Sequence, residues 1–309
     1  MLDTLDRKIL QTLESDARQS KTKIAAQLRT SKTVVSYRIN RLEKNGVIKG
    51  YQYISNQAAL GLLSFGLLIR FQGLSLQEQQ YILARMRLSK KFDWVTATNG
   101  KWDAIAVAIK GSTFSFNRLL DEFFAQYGVY IKEYNFYIDY EGSISAHNYL
   151  YNEPFSSATA YRHLGANIVL SDTETAVYKK LQINPLLSLL SIAKQLNKTY
   201  DTIQLKYRSL VTKGILARPV PIVNCRAVGY EDTLCLYNLA PNTERVSRLL
   251  ALCVAHPNIV RYSRCLGHIN LVINIHSQDG RQLKEIIGTI NKQFSDIIIG
   301  CDLIQAVEE

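Results

Sequence analysis

Ser31, Lys32, Thr33, Ser36, Tyr37, Arg38, Asn40, Arg41 and Lys44 bring hydroxyl, amide and cationic groups together within residues 31–44. Between them Val35, Ile39 and Leu42 recur at i, i+4 and i+7, the spacing of a helix's core stripe. At about 100° per residue the polar set then takes the opposite face, with Arg38 on the flank. Such a face suits a helix lying in the major groove of a nucleic-acid duplex. Hydroxyls and amides exchange hydrogen bonds with base edges, while cations neutralise phosphates and set register. Lys32, Thr33, Ser36 and Tyr37, near the helix start, are expected to approach bases, and Arg38 and Arg41 to grip phosphates. The plain alternative is a solvated helix face.

A second polar set, Gln204, Lys206 and Arg208, lies on a later helix expected over 200–212, with Ile203, Tyr207 and Leu210 inward. Asp201 near its start repels phosphate, and Leu205 faces outward. This module is expected to bind DNA more weakly or with other preferences, a purely structural role being the alternative.

These helices need partners to hold them. Asp3 can cap a first helix running to about residue 14, with Leu5, Ile9, Leu10 and Leu13 at helical spacing. A second helix is expected over 21–28. A tight turn at Arg29-Thr30 leads into the third, capped by Thr30 or Ser31 and ending at Asn45 with Gly46 as its C′ residue. Val47-Ile48 and Tyr51 to Ile54 read as a short strand, a minimal wing.

The whole unit repeats. Ile24-Ala25-Ala26-Gln27-Leu28 returns as Ile192-Ala193-Lys194-Gln195-Leu196, and the same offset aligns Leu13 with Leu181, Leu42 with Leu210 and Gly46 with Gly214. After one deletion Gly100-Lys101-Trp102-Asp103 aligns with Gly267-His268-Ile269-Asn270. Charge follows the repeat: residues 1–56 hold 11 Lys/Arg against 5 Asp/Glu and residues 169–224 hold 8 against 3, together the whole net charge of +11. Two basic modules on near-neutral ones point to two nucleic-acid-facing surfaces.

The chain therefore divides into a winged helix-turn-helix at 1–56, a strand–helix–strand–strand–helix–strand (βαββαβ) domain at 57–140, a turn-rich linker at 141–168, a divergent helix-turn-helix at 169–224 and a second βαββαβ domain at 225–309. The fold class is α+β, with ferredoxin-like layers. The linker mixes Gly142, Ser143, Pro154, Ser156, Ser157 and Gly165 with many tyrosines, which argue that it packs on something.

Leu5-Asp6, Ile9-Leu10, Asp16-Ala17-Arg18, Ile24-Ala25, Ser31, Arg38-Ile39, Leu42-Glu43 and Gly46-Val47-Ile48-Lys49-Gly50-Tyr51 resemble the helix-turn-helix signature of the Lrp/AsnC, or feast/famine, transcription regulators. The resemblance implies a following βαββαβ (RAM-type) ligand-binding domain. It also implies a G-x-x-D loop that helps form an effector pocket at a domain–domain interface. Gly100, Lys101, Trp102 and Asp103 match that loop; in the second copy Gly267 is kept but Asn270 replaces the aspartate. A hairpin turn with a surface aspartate is the alternative. The family's homodimer would here become a pseudo-dimer within one chain, with further homo-oligomers left open. The expected partners are double-stranded DNA and a small-molecule effector such as an amino acid.

Other chemistry is poorly served. Cys253-x-x-His256 and Cys265-x-x-His268 invite a zinc reading, but the first copy lacks all four residues, and no metal or other cofactor is expected. No nucleophile elbow, phosphate loop, dinucleotide fingerprint or usable carboxylate pair occurs, so no catalytic residue is assigned. Five cysteines, an odd number without C-x-x-C, read as reduced buried thiols. No stretch approaches the roughly 18 apolar residues of a membrane span, and the acidic N-terminus lacks a signal-peptide core, so a cytoplasmic location is expected. The rival is an enzyme, since siroheme decarboxylases resemble this domain plan. The Arg-Arg-Phe-Gly run associated with them is replaced by Lys49-Gly50-Tyr51 and Ala217-Arg218-Pro219. A partner-binding module with a degenerate second half is a third reading.

Overall fold

The computed structural model describes residues 2–151, 158–162 and 167–307; the linker expectations on Pro154, Ser156, Ser157 and Gly165 lie outside them. The chain forms two compact units, one of residues 1–60, 145–161 and 166–230, the other of 61–144, 162–165 and 231–309.

The first unit holds both helix-turn-helix modules. Helices α1 (Thr4–Ser15), α2 (Lys21–Gln27) and α3 (Lys32–Lys44) precede strand β1 (Ile48–Ser55). Asp3 caps α1 in a capping box with Asp6, and Ser20 and Ser31 cap α2 and α3. Ile9, Leu10, Ile24, Val35, Ile39 and Leu42 form one buried cluster. In the second module α6 (Asp172–Ile183), α7 (Leu189–Leu196) and α8 (Tyr200–Thr212) precede β7 (Leu216–Val223) and bury Val177, Leu181, Ile192, Ile203 and Leu210.

The expected short strand of the wing is present as β1, and its partner comes from the second module. β1 forms no hairpin of its own; it pairs antiparallel with β7 from Ile48↔Val223 to Ser55↔Leu216. A single strand leaves its ladder groups unpaired, and the duplicated strand supplies the missing edge. The ribbon also exchanges core residues. Tyr53 of the first module packs into the second module's cluster, and Val223 of the second packs into the first's. Ala17 N–H donates to Pro219 O at 2.9 Å and Asn56 N–H to Ile215 O at 2.9 Å. That interleaving is why the two modules form one unit instead of two separate domains.

The linker expectation holds in part. Leu150 and Tyr151 are buried in the first module's core, as the tyrosine content suggested. The buried Glu14 carboxylate accepts from Tyr151 OH at 2.6 Å, from the His147 backbone N–H at 3.1 Å and contacts His147 Nδ1. Burial beside that carboxylate pushes the Tyr151 hydroxyl far up. A short strand, β6 (Thr159–Arg162), also falls here.

The second unit carries the two βαββαβ copies. The first is β2 (Leu63–Phe71), α4 (Leu76–Leu88), β3 (Trp94–Gly100), β4 (Ala104–Lys110), α5 (Thr113–Tyr127) and β5 (Ile131–Ile144). The second is β8 (Glu231–Leu239), α9 (Thr243–Ala255), β9 (Ile259–Leu266), β10 (Leu271–Ser277), α10 (Gly280–Gln293) and β11 (Ile298–Val307). β5 runs past the expected boundary at Tyr140 because it gains a partner: it pairs with β9 out to Ile144↔Arg261. β11 pairs with β3 in the corresponding way. The order β2-β4-β3-β11-β8-β10-β9-β5 then closes through β5 and β2. Its interior is apolar, with Leu68, Trp102, Ile105, Tyr137, Leu234, Leu236, Val272 and Ile304 in contact. Outside, α4 and α5 cover one cluster, and α9 and α10 another.

Candidate nucleic-acid interface

The core stripe of α3 is buried: Val35 is 0% exposed, Ile39 4% and Leu42 2%. The opposite side presents Ser31, Lys32, Thr33, Tyr37, Asn40 and Lys44 to solvent, and Ser36 is half-buried. Tyr37 is 63% exposed, a large aromatic ring left without packing. These residues thus lie on the face expected to be open.

Arg38 and Arg41 depart from it. Both turn back to the start of α1. Arg38 Nη1 meets Asp3 and lies 3.1 Å from Asp6 Oδ1, and Arg41 Nη2 lies 2.5 Å from Asp6 Oδ2. Asp6 is 1% exposed, so these cations take the place of water around its carboxyl group. The Arg38 guanidinium in turn holds the Asp3 carboxyl below the usual range. The two arginines therefore clamp α1 to α3. Helical phase alone does not reveal this, because the acids lie more than 30 residues upstream.

The second module keeps the clamp with different groups. Glu174 aligns with Asp6 and accepts from Ser209 Oγ at 2.7 Å and Lys213 Nζ at 2.8 Å. Lys213, with the Ser171 cap and Ser209, lowers the Glu174 carboxyl to about 2. Ser209 is thus turned into the module. Tyr207, expected inward, is half-buried, its hydroxyl 2.8 Å from that of Tyr53. On the outer face of α8, Arg208 is exposed while Gln204 and Lys206 are half-buried. Leu205 is 64% exposed and Tyr200 44%.

The loop after β3 does more structural work than its surface reading suggested. Gly100 has φ +130°, and a Cβ there would lie 2.4 Å from Leu303 O, so the position takes only glycine. Trp102 is 1% exposed inside the closed sheet. Lys101 Nζ pairs with Asp302 at 2.9 Å. Asp103 Oδ2 accepts from Phe71 N–H at 2.7 Å, pinning the end of β2. In the second copy Asn270 Oδ1 accepts from Leu239 N–H at 2.8 Å, and its amide donates to Leu239 O. Gly267 repeats the positive φ at +128°. Asp103 and Asn270 are therefore equivalent strand latches. Cys253 and Cys265, weighed as metal ligands, sit in separate apolar clusters outside and inside the closed sheet.

A family model described as winged helix-turn-helix DNA-binding matches residues 2–49. An uncharacterised HTH-type transcriptional regulator of Pyrococcus furiosus is 33% identical over 129 residues, covering 41% of this chain and 85% of the relative. The HTH-type transcriptional regulator LrpA of Pyrococcus horikoshii is 43% identical over 61 residues, 20% of this chain and 43% of LrpA. Among solved structures, the siroheme decarboxylase NirDL superposes with a TM-score of 0.65 at 12% identity, covering 99% of this chain and 91% of that one. At that identity the likeness is one of fold.

Proposed function

The chain belongs to the Lrp/AsnC family of transcription regulators, and from that premise we propose that it is a sequence-specific DNA-binding regulator reading duplex DNA mainly through α3. The observation that carries this is the face of α3, where Lys32, Thr33, Tyr37, Asn40 and Lys44 stand exposed over a fully buried stripe. Lys32, expected from the sequence near base edges, is here assigned with Lys44 to phosphates, while Thr33, Ser36, Tyr37 and Asn40 read base edges. α8 is a second reader of different preference, since its equivalent face offers Leu205 and Asp201. The β1–β7 ribbon supports unlike half-sites at a set spacing, because operator symmetry mirrors protein symmetry. The closed sheet supports a pseudo-dimer formed within one chain.

The proposal includes a small-molecule effector such as an amino acid. Of the Gly100–Asp103 loop, Lys101 is the group placed to meet its carboxylate, by exchanging its pair with Asp302. A cytoplasmic location fits a regulator of DNA; among the described residues no helix is long and apolar enough to cross a membrane. Binding to genomic duplexes over a salt series tests the reading. Affinity should fall steeply with salt, and Lys32→Ala or Lys44→Ala should each flatten the slope by about one unit. Salt-insensitive binding, or none, contradicts it.

The whole-chain fold likeness to a siroheme decarboxylase favours one rival, an enzyme acting on a tetrapyrrole. Against it, Arg218 stands where an arginine-rich run would be but is engaged by Glu14 O at 3.0 Å and Thr159 Oγ1 at 2.6 Å. Titration with siroheme separates the two readings. A shifted absorption band with carboxyl loss supports the enzyme, and an unperturbed spectrum supports the regulator.

A further inference from the structure

The outer layer of the second unit has a hollow that the DNA-binding account leaves unused. It opens between the C-terminal halves of α4 and α5 and measures about 280 Å³. That is just under the ~300–1,000 Å³ usual for small-molecule sites. Its floor is Met86, Phe92, Leu119 and Phe123, each under one-tenth exposed. The Phe92 and Phe123 rings meet edge to face at 6.2 Å. Charged groups stand at the rim. Lys91 Nζ donates to Glu122 Oε2 at 2.7 Å, so that pair cancels. Arg85 also lines the hollow and makes no ion pair among the described residues. The result is a hollow with an apolar floor, a polar rim and one surplus positive charge at its mouth.

The duplication offers an internal comparison. At the repeat offset, Arg85, Lys91 and Glu122 become Leu252, Asn258 and Thr289 in the second copy, which removes these three charges from the corresponding rim. The corresponding floor is also buried, with Cys253 and Ile290 each 1% exposed and Phe294 0%. Arg245 lies 4.9 Å over the Phe294 ring and is tied to Asp296 at 2.7 Å, sealing that end. The charged rim formed by Arg85, Lys91 and Glu122 is thus a feature of the first copy, not of the ferredoxin-like layer itself.

We propose that this hollow binds a small monocarboxylate with an apolar body. The guanidinium of Arg85 takes the carboxylate in a bidentate, charge-assisted contact, and the hydrocarbon part lies on the aromatic floor. A polyanion is disfavoured because Arg85 is the unpaired cation of the rim and Glu122 repels further negative charge. A free amine is disfavoured because Glu122 already holds Lys91.

The test is calorimetric titration of the full-length protein with 3-phenylpropionate, its neutral amide and 4-methylpentanoate. Both acids should bind, and the amide should bind at least about tenfold more weakly. Arg85→Gln should weaken the acids by a similar factor. Gln126→Trp, at an exposed rim position, should abolish binding while circular dichroism and Tm stay unchanged. Equal affinity for acid and amide, binding that survives Arg85→Gln, or no heat from either acid at about 10 mM overturns the proposal. Should Gln126→Trp fail to fold, the acid–amide comparison and Arg85→Gln decide it.

Discussion

Arg41 Nη2 lies 2.5 Å from Oδ2 of Asp6, a carboxylate only 1% exposed. The recognition helix is thereby fastened to the first helix by a cation on its own flank. Glu174 repeats the arrangement in the second module through Ser209 and Lys213. The clamp persists although the chemistry of its donors has changed.

Arg41→Ala is therefore expected to act on stability before it acts on DNA. Leaving Asp6 with Arg38 alone should cost about 1–2 kcal/mol, discounted because Arg41 is 35% exposed. Urea unfolding followed by circular dichroism reads it as a lower midpoint with an unchanged slope. Wild-type stability combined with a large uniform loss of DNA affinity would instead return Arg41 to the phosphate role.

Acid should weaken the second module through Glu174. Its carboxyl is lowered from 4.5 to about 2 in the fold. The stabilisation is thus fully present above about 4.5 and is lost as pH falls towards about 2. Glu174→Gln should flatten the acid limb of a stability–pH curve, and Lys213→Met should move its midpoint upward. An acid limb identical in all three proteins would show that the pair contributes nothing.

Much of this was legible in the sequence because local signals agreed. Capping residues at Asp3 and Ser31, the stripes on α3 and α8, and the repeat offset all described one arrangement. What was not legible depends on residues far apart in the chain. The β1–β7 ribbon, the exchange of Tyr53 and Val223 between cores, and the Glu14–Tyr151 contact join segments over 100 residues apart. The carboxylate partners of Arg38 and Arg41 were not legible for the same reason. A cation on a helix suits a phosphate and a distant carboxylate equally well, and phase does not distinguish them. Trp102 was grouped with an effector loop, and phase alone did not show that the chain carries it into the closed sheet.

The latch at Asp103 predicts an asymmetric tolerance. Asp103→Asn should be nearly neutral, because Asn270 already performs the same task in the second copy. Asp103→Ala should cost about 1–3 kcal/mol by leaving Phe71 N–H without its partner. Thermal unfolding distinguishes them. An Asp103→Asn variant as unstable as the alanine variant would mean that the charge itself is required.

The central claim is that two unlike recognition faces in one chain read DNA, with α3 dominant. Selecting bound fragments from randomised or genomic duplexes, with wild type and with Tyr37→Ala, tests it most directly. The account predicts an enriched motif with one strongly constrained half and one weak or different half. Tyr37→Ala should relax the constrained half by about 1–3 kcal/mol at its contacted base pair. A perfectly palindromic motif, or no enrichment of any duplex, would contradict it.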